Sequence, residues 1–166
     1  MNKILFVCYG NICRSPMADF MMKKLVSDKG REDEFYISSA ATSKYEAGLR
    51  VHRGTRQILD RLGISCEGKC SITLTPEDYN KYDYIIGMDE ENVVNIKKIC
   101  GGDKDGKVKR LLEFAGKKLD VADPYWTGDF EATYRDVKEG TEALLRFIDG
   151  QNRYENIDKK IFLDFF

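Results

Sequence analysis

The sequence has very little histidine, proline or tryptophan, and it has no long apolar run. Its 166 residues include one histidine, His52, three prolines and one tryptophan. With no Cys-x2-Cys pair either, the chain offers too few ligands for a zinc site, and we expect no metal. No apolar stretch approaches the roughly 20 residues that span a bilayer. The first residues lead directly into an apolar run, so we expect no signal peptide.

Neither sign of charge is in clear excess. The cysteines are also too few and too irregularly spaced for a disulfide framework. The 27 basic and 28 acidic residues leave a net charge of −1. This balance gives no global basic field for nucleic acid or an anionic membrane. The five cysteines are an odd number at irregular spacing, which favours free thiols in a reducing cytoplasm. Length and composition indicate one globular domain.

The most informative stretch is residues 4–19. An apolar run at residues 4–7 predicts a buried strand, and Ser15-Pro16 predicts the start of a helix. A strand, a tight loop and a helix N-terminus together form a site for a phosphate-like anion. The lysine-bearing nucleotide loop is excluded because no Gly-Lys-Ser/Thr follows a four-residue spacer.

The residue types in this loop predict nucleophilic chemistry on a bound phosphate. Cys8 stands at the base of the loop, where inward-pointing N–H groups stabilise a thiolate. Arg14 can hold two phosphate oxygens through its planar fork. Gly10 and Asn11 tolerate the positive φ that a curled loop demands. Ser15 can donate to the Cys8 sulfur and cap the helix. A lone cysteine is more often a small buried side chain, but the whole loop favours the nucleophile.

Strand and helix patterns alternate along the chain. They predict an α/β fold, a single three-layer domain with a central four-stranded parallel sheet flanked by helices and the phosphate-binding loop after strand 1. The predicted strands are residues 4–7, 35–41, 84–87 and part of 108–114, and the predicted helices are residues 16–29, 55–62, one from 89 onward and a closing helix over 130–148. The domain is expected to cover residues 1–150. Residues 151–166 form an apolar tail that we expect to pack on the domain, with a dimer contact as the alternative.

A second loop, residues 119–130, combines acids with two adjacent aromatic residues. A carboxylic acid placed over the leaving oxygen speeds the cleavage of a phosphate ester. From this loop alone, however, a turn capped by Asp123 with surface aromatic side chains is the favoured interpretation.

Residues 8–18 closely resemble the signature of the low-molecular-weight protein tyrosine phosphatases. Residues 37–43, 82–89 and 123–125 resemble segments that recur in that family in the same order, and the resemblance covers residues 3 to about 148. It implies hydrolysis of phosphotyrosine monoesters on proteins through a phosphocysteine intermediate. It also implies no metal and no cofactor, while the balanced charge argues against a nucleic-acid or membrane partner.

The resemblance assigns roles to residues in both loops. The implied catalytic residues are Cys8, Arg14 and Asp123, with Asp123 acting first as acid and then as base. Tyr45 is expected to form one wall of the cleft, and Ser39 to support the loop near Asn11. The implied phosphate- and substrate-binding residues are Tyr9, Gly10, Asn11, Ile12, Cys13, Ser15, Tyr45, Tyr125 and Trp126.

The sequence departs from the family where a His-x-x-Arg arrangement often supports the loop, because Gly68 and Ser71 stand there instead. Three other functions stay open. Protein arginine phosphatase is one, although that branch carries threonine at the position of Ile12. Arsenate reductase is another, because Cys66 and Cys70 follow the loop. The third is a non-catalytic phosphotyrosine-binding or redox-sensing module.

Two further expectations concern regulation and assembly. Cys13 lies five residues after Cys8 across a curled loop, so a reversible disulfide between them would protect the nucleophile from peroxide. The chain is expected to be a monomer or a weak homodimer.

Overall fold

A computed structural model describes residues 1–165 of the chain. Its centre is a sheet of four parallel strands in the order β2-β1-β3-β4. The strands are β1 (Asn2–Cys8), β2 (Phe35–Ala41), β3 (Tyr84–Gly87) and β4 (Val108–Arg110). The prediction of an α/β domain with a four-stranded parallel sheet is therefore confirmed.

Helices connect the strands and cover both faces of the sheet. They are α1 (Arg14–Asp28), α2 (Arg53–Arg61), α3 (Asp78–Lys81), α4 (Glu90–Cys100), α5 (Pro124–Thr127) and α6 (Phe130–Phe165), with short 3-10 turns at Glu32–Glu34 and Leu111–Ala115. No helix within residues 1–165 is both long and apolar enough to cross a membrane.

Strand β1 divides the core because successive side chains of a strand point to opposite faces. Ile4 and Phe6 belong to the larger apolar cluster, which includes side chains of α1 and α6. Leu5 and Val7 belong to the smaller cluster, which includes side chains of α4. Because β1 is buried from residue 4 to residue 8 and has a partner strand on each edge, the loop that follows it is held on a rigid support.

The structure differs from the sequence prediction at the start of α1. This helix begins at Arg14, so Ser15 lies inside its first turn and does not cap it. The cap position belongs to Cys13, whose side chain makes no capping hydrogen bond. The start moves because the loop curls tightly enough to bring Arg14 into helical geometry, which leaves the Ser15 hydroxyl free to turn toward the loop.

The end of the chain also differs from the prediction. Residues 151–165 do not pack on the domain as an apolar tail but continue α6 as helix. Their side chains are exposed except for Asn152, which is half-buried. The buried residues of α6 end at Ile148, because beyond that point the helix extends past the elements that it covers.

Candidate active site

The loop after β1 curls because its carbonyl groups are bound from outside. The carbonyl oxygen of Cys8 accepts from the N–H of Thr42 at 3.0 Å, and that of Tyr9 accepts from the N–H of Ser43 at 3.1 Å. Both donors follow β2, which lies beside β1 in the sheet. The segment after β2 therefore anchors the start of the loop.

The rest of the loop is held by two other elements. The carbonyl oxygen of Ile12 accepts from the N–H of His52 at 2.8 Å, and that of Cys13 accepts from the hydroxyl of Thr55 at 3.0 Å. The carbonyl oxygen of Gly10 accepts from the Ser71 hydroxyl at 2.7 Å. With carbonyl groups engaged on the outside, amides of the loop are free to bind an anion on the inside.

Asn11 and Gly10 allow the curl for different reasons. Asn11 has a φ of 55°, and it is the non-glycine residue with positive φ in the described part of the chain. Gly10 was expected to have positive φ as well, but it does not. The carboxylate of Glu46 instead lies where a Cβ of residue 10 would be, so any larger side chain here would displace the end of that glutamate.

Three donors converge on the sulfur of Cys8. The Ser15 hydroxyl lies 3.0 Å from it, and the N–H groups of Asn11 and Ser15 donate to it at 3.3 and 3.4 Å. The amide of the Asn11 side chain donates in turn to the Ser15 oxygen at 2.9 Å, which orients that hydroxyl toward the sulfur. Hydrogen bonds that end on the sulfur stabilise its charged form, which is the form that attacks.

Arg14 is buried and is held by charged partners. One of its terminal nitrogens donates to Asp89 at 2.7 Å and to the carbonyl oxygen of Val121 at 3.0 Å, and the other lies 3.4 Å from Asp123. Burial disfavours the guanidinium charge, but Cys8, Asp89 and Asp123 outweigh it and raise the pKa of Arg14. The side chain therefore stays cationic beside the sulfur.

Asp123 caps a turn and also faces the site, so its two carboxylate oxygens have different partners. One carboxylate oxygen accepts from the N–H of Tyr125 at 3.1 Å and caps α5, while the other faces Arg14. Its side chain is 27% exposed, so the carboxyl group is open to the solvent-filled side of the site. The carboxyl lines the same cavity as Cys8.

Cys13 is the second buried thiol of the loop. Burial raises its pKa to about 12, and the nearby charges of Cys8, Asp123 and Glu46 act in the same direction, while Arg14 opposes them. Cys13 is therefore a neutral thiol at physiological pH.

A cavity of about 500 Å³ opens above the loop. Its aromatic walls are Tyr45 and, on α5, Tyr125 and Trp126. The rings of Tyr125 and Trp126 meet edge to face, with their centroids 5.1 Å apart. The residues of the predicted site that line it are Cys8, Tyr9, Gly10, Ile12, Cys13, Arg14, Tyr45, Asp123, Tyr125 and Trp126. Asn11 and Ser15 are buried behind the loop and act on the sulfur from there. Within residues 1–165, no cluster of three or more His, Cys, Asp or Glu side chains is arranged to hold a metal ion.

The low molecular weight phosphotyrosine protein phosphatase family model matches residues 3–160 of this sequence. The chain belongs to this family. It is 40% identical to the low molecular weight protein-tyrosine-phosphatase YfkJ of Bacillus subtilis over 150 aligned residues. The aligned region covers 89% of this chain and 96% of YfkJ.

Solved structures of phosphatases agree with this assignment. The crystal structure of YfkJ superposes with a TM-score of 0.87 over 91% of this chain and 96% of that one. SP-PTP, a low molecular weight protein tyrosine phosphatase from Streptococcus pyogenes, is 44% identical, with a TM-score of 0.79 over 88% of this chain and 92% of its own. The Drosophila arginine phosphatase DARP is similar at 28% identity, with a TM-score of 0.80 over 88% of this chain and 97% of its own.

In this phosphatase, Ser39 does not support the phosphate-binding loop near Asn11 as expected. The hydroxyl of Ser39 donates to Asp19 at 2.7 Å and not to Asn11. The side-chain oxygen of Asn11 accepts instead from the N–H of Ile72 at 3.1 Å, next to the Ser71 hydroxyl that binds the loop. Ser71 and Ile72 therefore occupy the place where the sequence lacks a His-x-x-Arg arrangement.

The most important phosphatase residue that sequence reasoning missed is Asp89. It was expected to cap a helix, and it does so by accepting from the N–H of Asn92 at 2.7 Å. Its second carboxylate oxygen holds Arg14, a partner 75 residues away in sequence. The available signal was that residues 82–89, which end at Asp89, resemble a segment that recurs in the family. The cavity lining that was not predicted is Glu46, Asp89, Glu91, Asn92 and Asn95.

Proposed function

We propose that this protein is a protein tyrosine phosphatase that hydrolyses phosphotyrosine monoesters through a phosphocysteine intermediate, with no metal or cofactor. The observation that carries the proposal is the convergence of three groups on one cavity. The sulfur of Cys8 receives donors from the loop, while Arg14 and Asp123 lie 3.4 Å apart at the same site. Membership of the phosphatase family supports the same conclusion.

In the first step, the thiolate of Cys8 attacks phosphorus and the bond between phosphorus and the phenolic oxygen breaks. Arg14 and the loop amides bind the equatorial oxygens, where charge gathers in the transition state. The protonated carboxyl of Asp123 gives its proton to the leaving oxygen, so tyrosine departs as a neutral phenol. The result is a phosphorus–sulfur bond and an ionised Asp123.

In the second step, water attacks the phosphocysteine. The carboxylate of Asp123 accepts a proton from this water, and the phosphorus–sulfur bond breaks. Inorganic phosphate leaves, and the electron pair of that bond returns to Cys8 as the thiolate. The hydroxyl and N–H of Ser15 stabilise this leaving sulfur at 3.0 and 3.4 Å. Both active-site groups are then in their starting protonation states.

The walls of the cavity support an aryl phosphate as the substrate. Tyr45, Tyr125 and Trp126 offer aromatic faces above the loop, suited to stacking on a phenyl ring. A ring reaching between these walls sets its phosphate against Cys8, whereas the shorter side chain of phosphoserine does not reach. Ile12 lines the same cavity, and its apolar side chain favours a phenyl ring over a guanidinium group.

The test is phosphate release from two peptides that differ only in carrying phosphotyrosine or phosphoarginine, in buffer containing EDTA. We expect the phosphotyrosine peptide to be hydrolysed preferentially. Cys8→Ser should abolish turnover. Asp123→Ala should lower kcat by at least about 100-fold, the typical contribution of a general acid. Preference for phosphoarginine would contradict the substrate and leave the chemistry standing.

Loss of activity in EDTA would contradict the metal-free mechanism. Failure to hydrolyse either peptide would contradict the enzymatic proposal, leaving a binding module or an arsenate reductase to be tested. The matched control for protein quality is Cys70→Ser, because Cys70 is an exposed thiol outside the cavity. It should keep wild-type activity.

We also propose that Cys13 protects Cys8 from irreversible oxidation. Hydrogen peroxide converts the Cys8 thiolate to a sulfenic acid and releases hydroxide. The Cys13 thiol then displaces the sulfenic oxygen, forming a disulfide and water. A small thiol reductant restores both cysteines. Because Cys13 is a buried neutral thiol, this closure is expected to be slow relative to an ionised thiol. If Cys13→Ser recovers from peroxide as fully as wild type, Cys13 has no protective role.

The location and partners follow from the same proposal. Five free cysteines fit a reducing cytoplasm, which supports a cytoplasmic enzyme. Its partners are then tyrosine-phosphorylated proteins, recognised mainly through the phosphorylated side chain in the cavity.

A further inference from the structure

The part of α6 that extends beyond the domain carries an apolar stripe. The stripe consists of Phe147, Tyr154, Ile157, Ile161 and Phe165, which are between 42% and 81% exposed. Three of them recur at an interval of seven residues, and Ile157 lies between at the spacing that shares a helix face. This is the pattern of a helix that packs lengthwise on another helix.

The stripe does not continue the face that α6 turns to its own core. That face includes Leu144, Leu145 and Ile148, which are buried. One residue corresponds to about 100° around a helix, so Phe147 lies about a quarter turn away from Ile148. Extending the core-facing side would therefore not cover the stripe, and residues 151–165 reach past the domain. Phe147 packs against Tyr84 and Phe114, but covering the other four side chains of the stripe requires a surface from outside this chain's own fold.

The charges beside the stripe select a second copy of this chain as the occupant. When Tyr154 and Ile161 are given heptad position a, Ile157 falls at d, Arg153 at g and Asp158 at e. In a parallel pair of helices, position g of one helix lies beside position e of the next heptad on the other. Arg153 of each copy would then face Asp158 of the other, which makes two opposite-charge pairs by symmetry.

The two main alternatives are less favourable on the same residues. In an antiparallel pair, g lies beside g and e beside e, which would set Arg153 against Arg153 and Asp158 against Asp158. A membrane surface prefers an amphipathic helix rich in lysine and arginine. Residues 151–165 contain three basic and three acidic side chains and have no net charge.

We propose that the chain forms a parallel homodimer through this stripe of α6. The first turns of α6 are already folded on the domain, so the dimer does not bear the cost of nucleating a short isolated helix. The stripe spans fewer than three heptads, and Gly150 and Asp164 occupy d positions. The dimer is therefore expected to be weak, with dissociation in the micromolar range.

The proposed interface lies at the opposite end of the sheet from the cavity. Phe147 contacts Tyr84, the first residue of β3, and Asp149 pairs at 2.8 Å with Arg31, which precedes β2. Cys8 and the phosphate loop lie at the other end, where the strands finish. Dimerisation should therefore leave the activity per chain unchanged. The inference goes beyond the proposed function and does not depend on it.

The experiment is sedimentation velocity on the full chain over a wide range of micromolar concentrations. We expect reversible dimers for wild type. Ile157→Gln with Ile161→Gln should remove them. The matched control is Leu163→Gln, which removes an exposed apolar side chain on another face of the same helix and should leave dimerisation intact. Far-UV circular dichroism verifies that the helix persists in each variant.

Charge reversal tests the parallel register. Arg153→Glu alone and Asp158→Arg alone each turn two attractive pairs into repulsive ones, so each should weaken dimerisation by about tenfold. An equal mixture of the two variants should recover wild-type dimerisation, because every pair across the mixed dimer is again of opposite charge. An antiparallel pair would already be repulsive at both positions, so neither single variant would weaken it and the mixture would dimerise more strongly than wild type.

Several results would overturn the proposal. They are a monomer at all concentrations, dimers that survive the double glutamine variant, or a mixture of charge variants that stays monomeric. Binding to lipid vesicles by a chain that is monomeric in solution would also overturn it, in favour of a membrane surface. Hydrolysis of an aryl phosphate by each variant is measured in parallel. Loss of activity in wild type would count against the proposed function alone.

Discussion

At the scale of the residue, Asp89 joins two tasks that can be separated experimentally. One oxygen caps α4, and the other holds Arg14 at 2.7 Å. Asparagine is as good an N-cap as aspartate, but it lacks the charge that fixes the guanidinium. We predict that Asp89→Asn keeps the free energy of unfolding within about 1 kcal/mol and lowers kcat/KM by about tenfold, a loss of about 1.4 kcal/mol in transition-state binding.

The comparison for this prediction is Asp89→Ala, which removes the cap as well. It should show the same kinetic loss and an additional loss of about 1 kcal/mol in urea unfolding. Wild-type kcat/KM in Asp89→Asn would mean that Asp89 acts as a cap only.

Ser71 is the second residue whose role the geometry defines. Its buried hydroxyl donates to the carbonyl oxygen of Gly10 at 2.7 Å, and it touches neither the sulfur nor the cavity. It is a positioning residue, because the orientation of the loop amides depends on where that carbonyl points. We predict that Ser71→Ala lowers kcat/KM by about tenfold and weakens competitive inhibition by inorganic phosphate to a similar degree, as loss of a buried hydrogen bond implies.

A purely structural role would lower the stability of Ser71→Ala without changing phosphate affinity, and that result would contradict the prediction. Ser65→Ala is the matched control. Its hydroxyl accepts from the N–H of Glu67 in an exposed turn, away from the cavity, so its removal should alter neither measurement.

At the scale of the element, the packing of α6 against the 3-10 turn at Leu111–Ala115 depends on a glycine. A Cβ at Gly140 would overlap the side chain of Leu111, which is fully buried. Gly150, in the same helix, has open space around it. Alanine is the better helix former by about 1 kcal/mol at both positions, but overpacking outweighs this gain at the first.

We therefore predict opposite signs for the two substitutions in urea unfolding. Gly140→Ala should destabilise the fold by about 1 to 2 kcal/mol, whereas Gly150→Ala should be neutral or stabilising by up to about 1 kcal/mol. Equal effects would show that Leu111 moves aside freely and that helix and turn are not closely packed.

Local sequence signals were sufficient for most elements but not for the partners of the site. β2 and β3 were predicted with the bounds observed, because apolar runs bounded by turn residues leave little freedom. The contacts of Arg14 with Asp89 and of Ser71 with Gly10 join residues 75 and 61 positions apart, and no periodicity encodes such pairs. The extension of α6 was missed because the apolar residues of this helix move from the core-facing side to the stripe near Phe147.

At the scale of the whole molecule, stability at alkaline pH depends on buried acidic groups. Burial raises the pKa of Cys13 from 9.0 to about 12 and also raises the pKa of Tyr84. A raised pKa in the folded chain means that the unfolded chain ionises first as pH rises. The contribution of Cys13 is therefore complete below about pH 9 and is lost progressively toward pH 12, by at most about 1.4 kcal/mol per pH unit.

We predict that the free energy of unfolding of wild type in urea falls between pH 8.5 and about pH 10.5, where the Cys13 thiol ionises in the unfolded chain alone. Cys13→Ser should lose about 2 kcal/mol less over the same range, because serine does not ionise there. Cys70→Ser is the control, since the exposed thiol of Cys70 meets water in both states and its removal should leave the fall unchanged. An equal fall in wild type and Cys13→Ser would contradict the prediction. It would assign the alkaline loss to the other groups whose pKa burial raises, namely the thiols of Cys66 and Cys100 and phenols such as that of Tyr84.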